Sequence, residues 1–252
     1  MTAPIILHVP HSSREMPPDA RDSIVLDDDD LEVELDRMTD SFTEEIARLA
    51  AVEPSTDVTV VAAPVSRLVV DVERFPDERE AMNAVGMGAI YTRRHDGAVL
   101  RESVPEHLLA TYFEPHAAAV TRAVSQALES HGRAVLIDVH SYQTRRAPYE
   151  LAAPEDPRPQ VCLGTDPLHT PGWLVGAARD AFEGLEIGLD SPFTGTYVPL
   201  EWYGTDPRVS SIMIELRRDT YMDECAMTPT AGLHQIALRL GHLIRTIGRA
   251  DP

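Results

Sequence analysis

Short apolar runs alternate with longer amphipathic stretches along most of the chain. The runs are bounded by turn-forming residues and predict strands, at residues 5–9, 58–62, 68–72, 134–139, 161–164 and 209–216. Between them, apolar residues recur at helical spacing and predict helices at about 29–51, 105–130, 173–182 and 230–247. This alternation predicts one α/β domain over residues 1–252, with a mixed, mostly parallel sheet and helices on both faces.

Polar residues whose side chains can bind a metal ion or transfer a proton lie where three of the predicted strands end. His11 follows the first run, His140 follows the run at 134–139, and Glu215 lies near the end of the run at 209–216. Open α/β sheets bind their ligands beyond the carboxyl ends of the strands. We therefore expect these three side chains to gather at one edge of the sheet.

Two histidines at neighbouring strand ends are suited to hold a metal ion. A catalytic zinc ion takes three protein ligands, drawn from imidazoles and carboxylates, and keeps one position for water. We expect one Zn²⁺ per chain, bound by His11 and His140. The acidic helix that follows His11 offers four carboxylates as the third ligand: Glu32, Glu34, Asp36 and Asp40. Of these we select Asp36, with Glu34 as the second choice.

Two further carboxylates have predicted roles beside the metal. Asp138 lies two residues before His140 on the same side of its strand, so it can orient that imidazole without touching the ion. Glu215 is a candidate general base that takes a proton from water and returns it to the leaving amine. The structural alternative is a strand-end ion pair between Glu215 and Arg217 or Arg74, with the histidines serving only in capped turns.

Composition narrows the class of protein and of ligand. The 252 residues are 43% hydrophobic and 25% charged, as in an ordinary globular protein. The opening apolar run is too short for a signal peptide or a membrane span, which favours a cytoplasmic location, and Cys162 and Cys225 are expected to be free thiols. A net charge of -19 argues against nucleic acid as a partner. An anionic substrate would need specific arginines to bind against this charge.

Five segments carry a family resemblance: PHSS, VDVERFPDE, GMGAIYTR, IDVHSY and IELRRDTY. Between about residues 5 and 225 the chain resembles the N-formylglutamate amidohydrolases, which are related to the zinc carboxypeptidases and aspartoacylases. The resemblance implies a zinc-carboxypeptidase-like fold. It also implies hydrolysis of N-formylglutamate to glutamate and formate, a reaction of histidine catabolism, with a small anionic N-acyl amino acid as the substrate.

The resemblance also assigns roles to individual positions. His11 and His140 match the family's histidine ligands, and Glu215 matches its catalytic glutamate. Arg74 matches the arginine of an Asp-x-Asn-Arg motif that binds the substrate carboxylate. The motif here reads DVER, so Glu73 replaces the asparagine, and the carboxypeptidase His-x-x-Glu pair is absent after His11. Candidate partners for the oxyanion or a second carboxylate are Arg67, Arg101 and Arg217.

Three hypotheses follow from these observations. The first is a zinc-dependent amidohydrolase that releases formate, or another small acyl group, from an N-acylated amino acid. The second keeps the chemistry but changes the substrate, as in a zinc carboxypeptidase or an N-acyl amino acid deacylase of different specificity. The third is a noncatalytic protein of the same fold that binds a small ligand, suggested by Glu73 and by the missing His-x-x-Glu pair.

Overall fold

A six-stranded sheet forms the centre of the computed structural model, which describes residues 4–52, 57–150 and 156–249. Its strands are β1 (Ile5–Val9), β2 (Val58–Ala62), β3 (Ala134–Tyr142), β4 (Val161–Gly164), β5 (Ile187–Leu189) and β6 (Val209–Arg217). They lie in the order β2-β1-β3-β6-β4-β5. Strands β2, β1, β3 and β6 run parallel to one another. Strand β4 is antiparallel to β6 and parallel to β5. A small hairpin joins β7 (Met222–Asp223) and β8 (Thr228–Pro229). The predicted mixed, mostly parallel sheet is confirmed.

Helices cover both faces of the sheet, as predicted. They are α1 (Pro18–Arg21), α2 (Asp28–Met38), α3 (Thr43–Ala50), α4 (Glu114–His131), α5 (Gly172–Ala181) and α6 (Gly232–Arg249). Helices α3, α5 and α6 share one core cluster with the sheet, whereas α4 packs on the opposite face. A π-helical turn (Leu109–Phe113) leads into α4. Within the described ranges, none of the helices has the length and apolar character needed to cross a bilayer.

The two-residue period of the strands places the polar residues of the site on one face. In β3, Ile137 and Val139 belong to the core beneath α3, α5 and α6, while Leu136 packs on the α4 side. Since side chains alternate along a strand, Asp138 and His140 face the α4 side as well. All nine residues of β3 are buried, so these polar groups need partners inside the protein.

The predicted helix at 29–51 is wrong in one respect, because a turn divides it into α2 and α3. Helix α2 ends before Thr39, whose backbone is extended, and Phe42 has a left-handed backbone with φ of 66°. The Asp40 N–H donates to the His11 carbonyl oxygen at 2.9 Å. This bond ties the turn to the end of β1. Each helix has an apolar side of its own, but Leu35 and Met38 of α2 pack in one core cluster and Ile46 of α3 packs in another. The helical spacing of apolar residues alone therefore does not reveal the break.

The predicted strand at 68–72 is also wrong. Its residues are buried but form a turn, in which the Val69 N–H donates to the Ser66 carbonyl at 2.8 Å. The Asp71 N–H donates to the Ala89 carbonyl at 2.8 Å. An apolar run of this length is compatible with any buried segment, and here the turn directs Asp71 toward β1.

Candidate active site

The structure brings His11 and His140 together beyond the carboxyl end of β1. His11 follows β1 directly, and His140 lies in β3, which extends three residues beyond the predicted run. Their Nδ1 atoms are 3.3 Å apart, and the residues are only 2% and 3% exposed. Two buried ring nitrogens at this distance need a cation or a proton between them, since two lone pairs or two N–H groups would repel.

The Asp40 carboxylate lies beside the facing Nδ1 atoms of the two histidines and adds a third possible ligand atom. Asp40 Oδ2 lies 3.2 Å from His140 Nδ1 and 3.7 Å from His11 Nδ1, and it accepts the Ser141 N–H at 3.1 Å. A tetrahedral ion with bonds of about 2.1 Å holds its ligand atoms about 3.4 Å apart. The three side chains therefore fit a zinc ion.

The outer nitrogens of both rings meet other carboxylates. His11 Nε2 is 2.8 Å from Asp71 Oδ1, while His140 Nε2 is 3.1 Å from Glu73 Oε1 and 3.2 Å from Asp138 Oδ1. Metal-binding histidines characteristically give their second N–H to a carboxylate, which fixes the tautomer and orients the ring. This arrangement leaves the two Nδ1 atoms as the candidate ligands for a metal ion.

Glu73 offers a second possible grouping. Glu73, His11 and His140 also have ligand atoms within 4.8 Å of one another. Using the outer nitrogens as ligands would break the bond between His11 and Asp71, and it would leave the facing Nδ1 atoms without a shared cation. The set with Asp40 satisfies both sides of each ring, which makes it the better candidate for a metal site, with Glu73 as an outer carboxylate.

The protonation of these groups reflects an excess of buried negative charge. Burial acts to lower the pKa of His140, but Glu73 and Asp138 outweigh it, and the pKa is well above its usual value. The pKa of His11 is also raised despite burial and Arg67, because Asp71 and neighbouring carboxylates favour its charged form. These shifts favour the protonated imidazoles, as expected of groups that attract cations.

Asp138 has the orienting position that the sequence predicts. It accepts from His8 Nδ1 at 2.8 Å and from the Tyr197 N–H at 3.1 Å, besides lying beside His140. His8 in turn contacts His116 of α4, with 2.9 Å between their Nε2 atoms. Burial lowers the pKa of His116 to about 3, and the nearby His8 contributes. His116 is therefore a neutral partner at the end of this chain of contacts.

Glu215 lies directly opposite His140 in the register of β3 and β6. It is 8% exposed and lines the cavity above the histidines. Burial raises its pKa to about 8; His140 opposes this rise, while Asp40 and Glu73 reinforce it. Its Oε2 atom is buried and has no hydrogen-bond partner among the described residues. An ionisable oxygen without a partner is available to exchange a proton with a ligand.

Two of the predicted arginines face the cavity. Arg67 donates to Asp71 at 2.8 Å and to the Tyr91 hydroxyl at 2.9 Å. Arg74 lies 3.4 Å from Asp71 and 3.8 Å from Glu80, and its buried Nε makes no hydrogen bond within the described residues. Arg74 therefore retains donors for a bound anion, whereas Arg67 is largely engaged.

The other two predicted arginines are engaged outside the cavity lining. Arg101 is buried and donates to the carbonyl oxygens of Tyr91 and Leu68. Arg217 pairs with Asp219 at 2.8 Å. Neither lines the described cavity, so the structure gives both of them packing and ion-pair roles in place of the predicted substrate contacts.

The two acidic residues preferred as the third ligand also lie elsewhere. The Asp36 carboxylate is 43% exposed and pairs with Arg14 at 2.7 Å. Glu34 accepts from the His95 N–H at 2.7 Å. Both belong to α2, which directs them away from the histidines, whereas Asp40 reaches the histidines because it follows the helix end. The sequence TDSFT at residues 39–43, rich in turn and capping residues, is the signal that would have identified this break.

The cavity above the histidines has a volume of about 640 Å³. This lies in the range of roughly 300–1,000 Å³ that is typical of sites for small molecules. Its outer wall includes Phe75 and Tyr203, whose rings meet edge to face with centroids 5.9 Å apart. The polar floor and aromatic rim suit a small organic acid.

Comparisons with known proteins show what the chain as a whole is similar to. The family model for N-formylglutamate amidohydrolase matches residues 3–222. A crystal structure of N-formylglutamate amidohydrolase from Ralstonia eutropha JMP134 has a TM-score of 0.79 at 19% identity, covering 98% of this chain and 93% of that chain. A gene product from Agrobacterium tumefaciens has a TM-score of 0.69 at 18% identity, covering 97% and 90%. No curated protein matches the sequence. At these identities the two structures establish a shared fold.

The raised pKa of Glu215 predicts a pH-dependent effect on stability. Between the usual value of 4.5 and about 8, the unfolded state releases the proton that the folded state keeps, so stability falls as pH rises. In metal-free protein, Glu215→Gln should therefore gain stability over the wild type across this window, by at least about 1 kcal/mol, the equivalent of roughly one pKa unit. Urea unfolding with a chelator at several pH values measures the difference, and Glu201→Gln, at an exposed position, is the matched control. If the free energies of unfolding of Glu215→Gln and the wild type changed with pH in parallel, burial would not raise the pKa of Glu215.

Proposed function

Because the chain belongs to the N-formylglutamate amidohydrolase family, we propose that it hydrolyses the amide bond of an N-formyl or other small N-acyl amino acid. The leading substrate is N-formylglutamate, which would give glutamate and formate. One observation carries the proposal: three ligand atoms from His11, His140 and Asp40 lie 3.2–3.7 Å apart beside the buried carboxylate of Glu215.

The proposed cofactor is one Zn²⁺ per chain, held by Nδ1 of His11, Nδ1 of His140 and a carboxylate oxygen of Asp40. When bound, zinc would polarise the acyl oxygen and lower the pKa of water toward about 7. Asp71 accepts the outer N–H of His11, and Glu73 and Asp138 both lie beside the outer N–H of His140, so these carboxylates hold the two rings in place.

Glu215 is the proposed general base and acid. It takes a proton from the attacking water as the new carbon–oxygen bond forms. It then gives that proton to the amide nitrogen as the carbon–nitrogen bond breaks, so that a neutral amine leaves. Its unpartnered Oε2 atom supports this role, because no protein donor has to be displaced before water can bind.

Arg74 is the proposed anchor for the substrate carboxylate. A guanidinium with unused donors beside a cavity can pair with a carboxylate in a bidentate manner. This local attraction opposes the repulsion expected from the net charge of -19. Arg67 holds Asp71 and adds positive charge to the same wall.

A second candidate function is deacylation of an N-acyl amino acid with a larger apolar part. The aromatic rim around Phe75 and Tyr203 supports it, because these rings extend the cavity beyond the space near the histidines. Turnover of N-formyl, N-acetyl and N-benzoyl amino acids by the same preparation separates the two functions. Cleavage of the larger acyl groups without cleavage of N-formylglutamate would identify the second.

The metal site predicts which carboxylate controls zinc content. Asp40→Asn should reduce bound zinc from about one ion per chain to a small fraction, because the amide is a much weaker zinc ligand than a carboxylate. Asp36→Asn, from the neighbouring helix, is the matched control and should keep full occupancy. Elemental analysis after dialysis against metal-free buffer gives both values. Zinc loss from Asp36→Asn together with full zinc content in Asp40→Asn would overturn the assignment of Asp40 as the third ligand.

The role of Glu215 predicts a loss of turnover without a loss of metal. Glu215→Gln should retain zinc and lower kcat by about 10²–10⁴-fold, the usual contribution of a positioned general base. The assay is formate release from N-formylglutamate, and zinc content is measured on the same sample. Wild-type turnover in this variant would exclude Glu215 as the base.

The role of Arg74 predicts a loss that depends on the substrate. Replacing this guanidinium with an apolar chain, as in Arg74→Met, should lower kcat/KM for N-formylglutamate by about 10- to 150-fold, since a hydrogen bond to a charged group is worth about 1.5–3 kcal/mol. The wild type should lose a similar factor on a substrate whose α-carboxylate is replaced by an amide, whereas the variant should not distinguish the two substrates. If Arg74→Met still preferred the carboxylate substrate over the amide analogue by the wild-type factor, the substrate carboxylate would bind elsewhere.

A further inference from the structure

Glu73 spans the outer sides of both histidines. Its Oε1 atom lies 3.1 Å from His140 Nε2, and its Oε2 atom lies 3.6 Å from His11 Nε2. Its side chain is 18% exposed and forms part of the cavity wall. Each oxygen of this one carboxylate therefore faces a different imidazole.

The local backbone holds Glu73 in this position. Its N–H donates to Asp71 Oδ1 at 3.2 Å, and the same oxygen is bonded to His11 Nε2 at 2.8 Å. Asp71 thus fixes both the turn that carries Glu73 and one of the imidazoles that Glu73 approaches. The position of the Glu73 carboxylate relative to the two imidazoles therefore depends on backbone contacts as well as on the glutamate side chain.

The chemistry of this position requires a carboxylate to reach both rings. The motif that residues 71–74 resemble has asparagine here, and an amide has one accepting oxygen and a donating NH₂ group. The donating group cannot accept an N–H, and the side chain is shorter by one methylene. A glutamate at this position can therefore face both outer nitrogens at once, which an asparagine cannot do.

We infer that Glu73 is a positioning residue that braces both metal-ligating imidazoles and strengthens their hold on zinc. The inference rests on the proposed metal site. An N–H that donates to a carboxylate makes the opposite ring nitrogen more basic and thus a better ligand. For His140 this contact is direct, whereas for His11 Glu73 adds its negative charge to the closer contact with Asp71.

The test is zinc affinity, measured by competition with a chromophoric chelator at alkaline pH, where protons compete least for the imidazoles. Glu73→Gln keeps the length and removes the charge, and Glu73→Asn introduces the residue of the related motif. Glu201→Gln removes a carboxylate from the rim of the same cavity and is the matched control. Thermal unfolding establishes that each variant folds.

Both Glu73 variants should bind one zinc ion at saturation with an affinity about 10- to 100-fold lower than that of the wild type, as is usual when an outer carboxylate is lost. The control should equal the wild type. In the cobalt-substituted protein, Glu73→Gln should keep the intensity of the visible bands, since the ligand number and geometry that govern them are unchanged.

Three results would overturn the inference, and they are distinguishable. Unchanged affinity in both Glu73 variants would show that the brace has no effect on the metal. Loss of all zinc, to the level of Asp40→Asn, with weakened cobalt bands would make Glu73 a ligand. A wild-type protein that binds no zinc would remove the proposed metal site itself, and the inference with it.

Discussion

The central constraint on this structure is the concentration of buried carboxylates around two imidazoles. Asp40, Asp71 and Asp138 are almost inaccessible to water, and all three contact His11 or His140. Burying an ionised carboxylate is costly unless a positive group and hydrogen bonds compensate it. Arg67 compensates part of this charge at Asp71 and Arg218 part of it at Asp40, and cations in the centre, either protons on the imidazoles or a metal ion between them, would compensate the rest. The proposed function depends on the same requirement, because the zinc ion would supply positive charge among these carboxylates.

The sheet supplies this arrangement through register and alternation. Strands β1, β3 and β6 are parallel neighbours, so their carboxyl ends meet at one edge. The pairing of His140 with Glu215 places a proposed metal ligand and the proposed base on adjacent strands. The apolar residues between them fill the core on the other face, which holds the strands in the register that the site needs.

Much of the architecture was predictable from periodicity, and the family and fold class are confirmed. His11 and His140 could be located because each stands near the end of a clear strand. The run at 68–72 shows the limit of this approach, since burial alone produces an apolar segment whether or not it pairs in a sheet.

The choice of the proposed third ligand shows a different limit of prediction from sequence. Asp36 and Asp40 are one helical turn apart in sequence, and a continuous helix would have placed them on the same face. The end of α2 at the extended residue Thr39 separates them, and the bond from the Asp40 N–H to the His11 carbonyl, a tertiary contact, holds the turn in place. Arg101 and Arg217 were equally ambiguous, because a guanidinium can satisfy its donors with backbone carbonyls or an adjacent aspartate as readily as with a ligand.

The turn between α2 and α3 has an implication for how this sequence can vary. Because the turn is anchored at the end of β1, the number of residues in it matters more than their identity, apart from Asp40. One added or deleted residue would rotate the following helix by about 100° relative to its present packing, which would turn its apolar side away from the core. Length variation among relatives should therefore be tolerated in the surface loops but not in this segment.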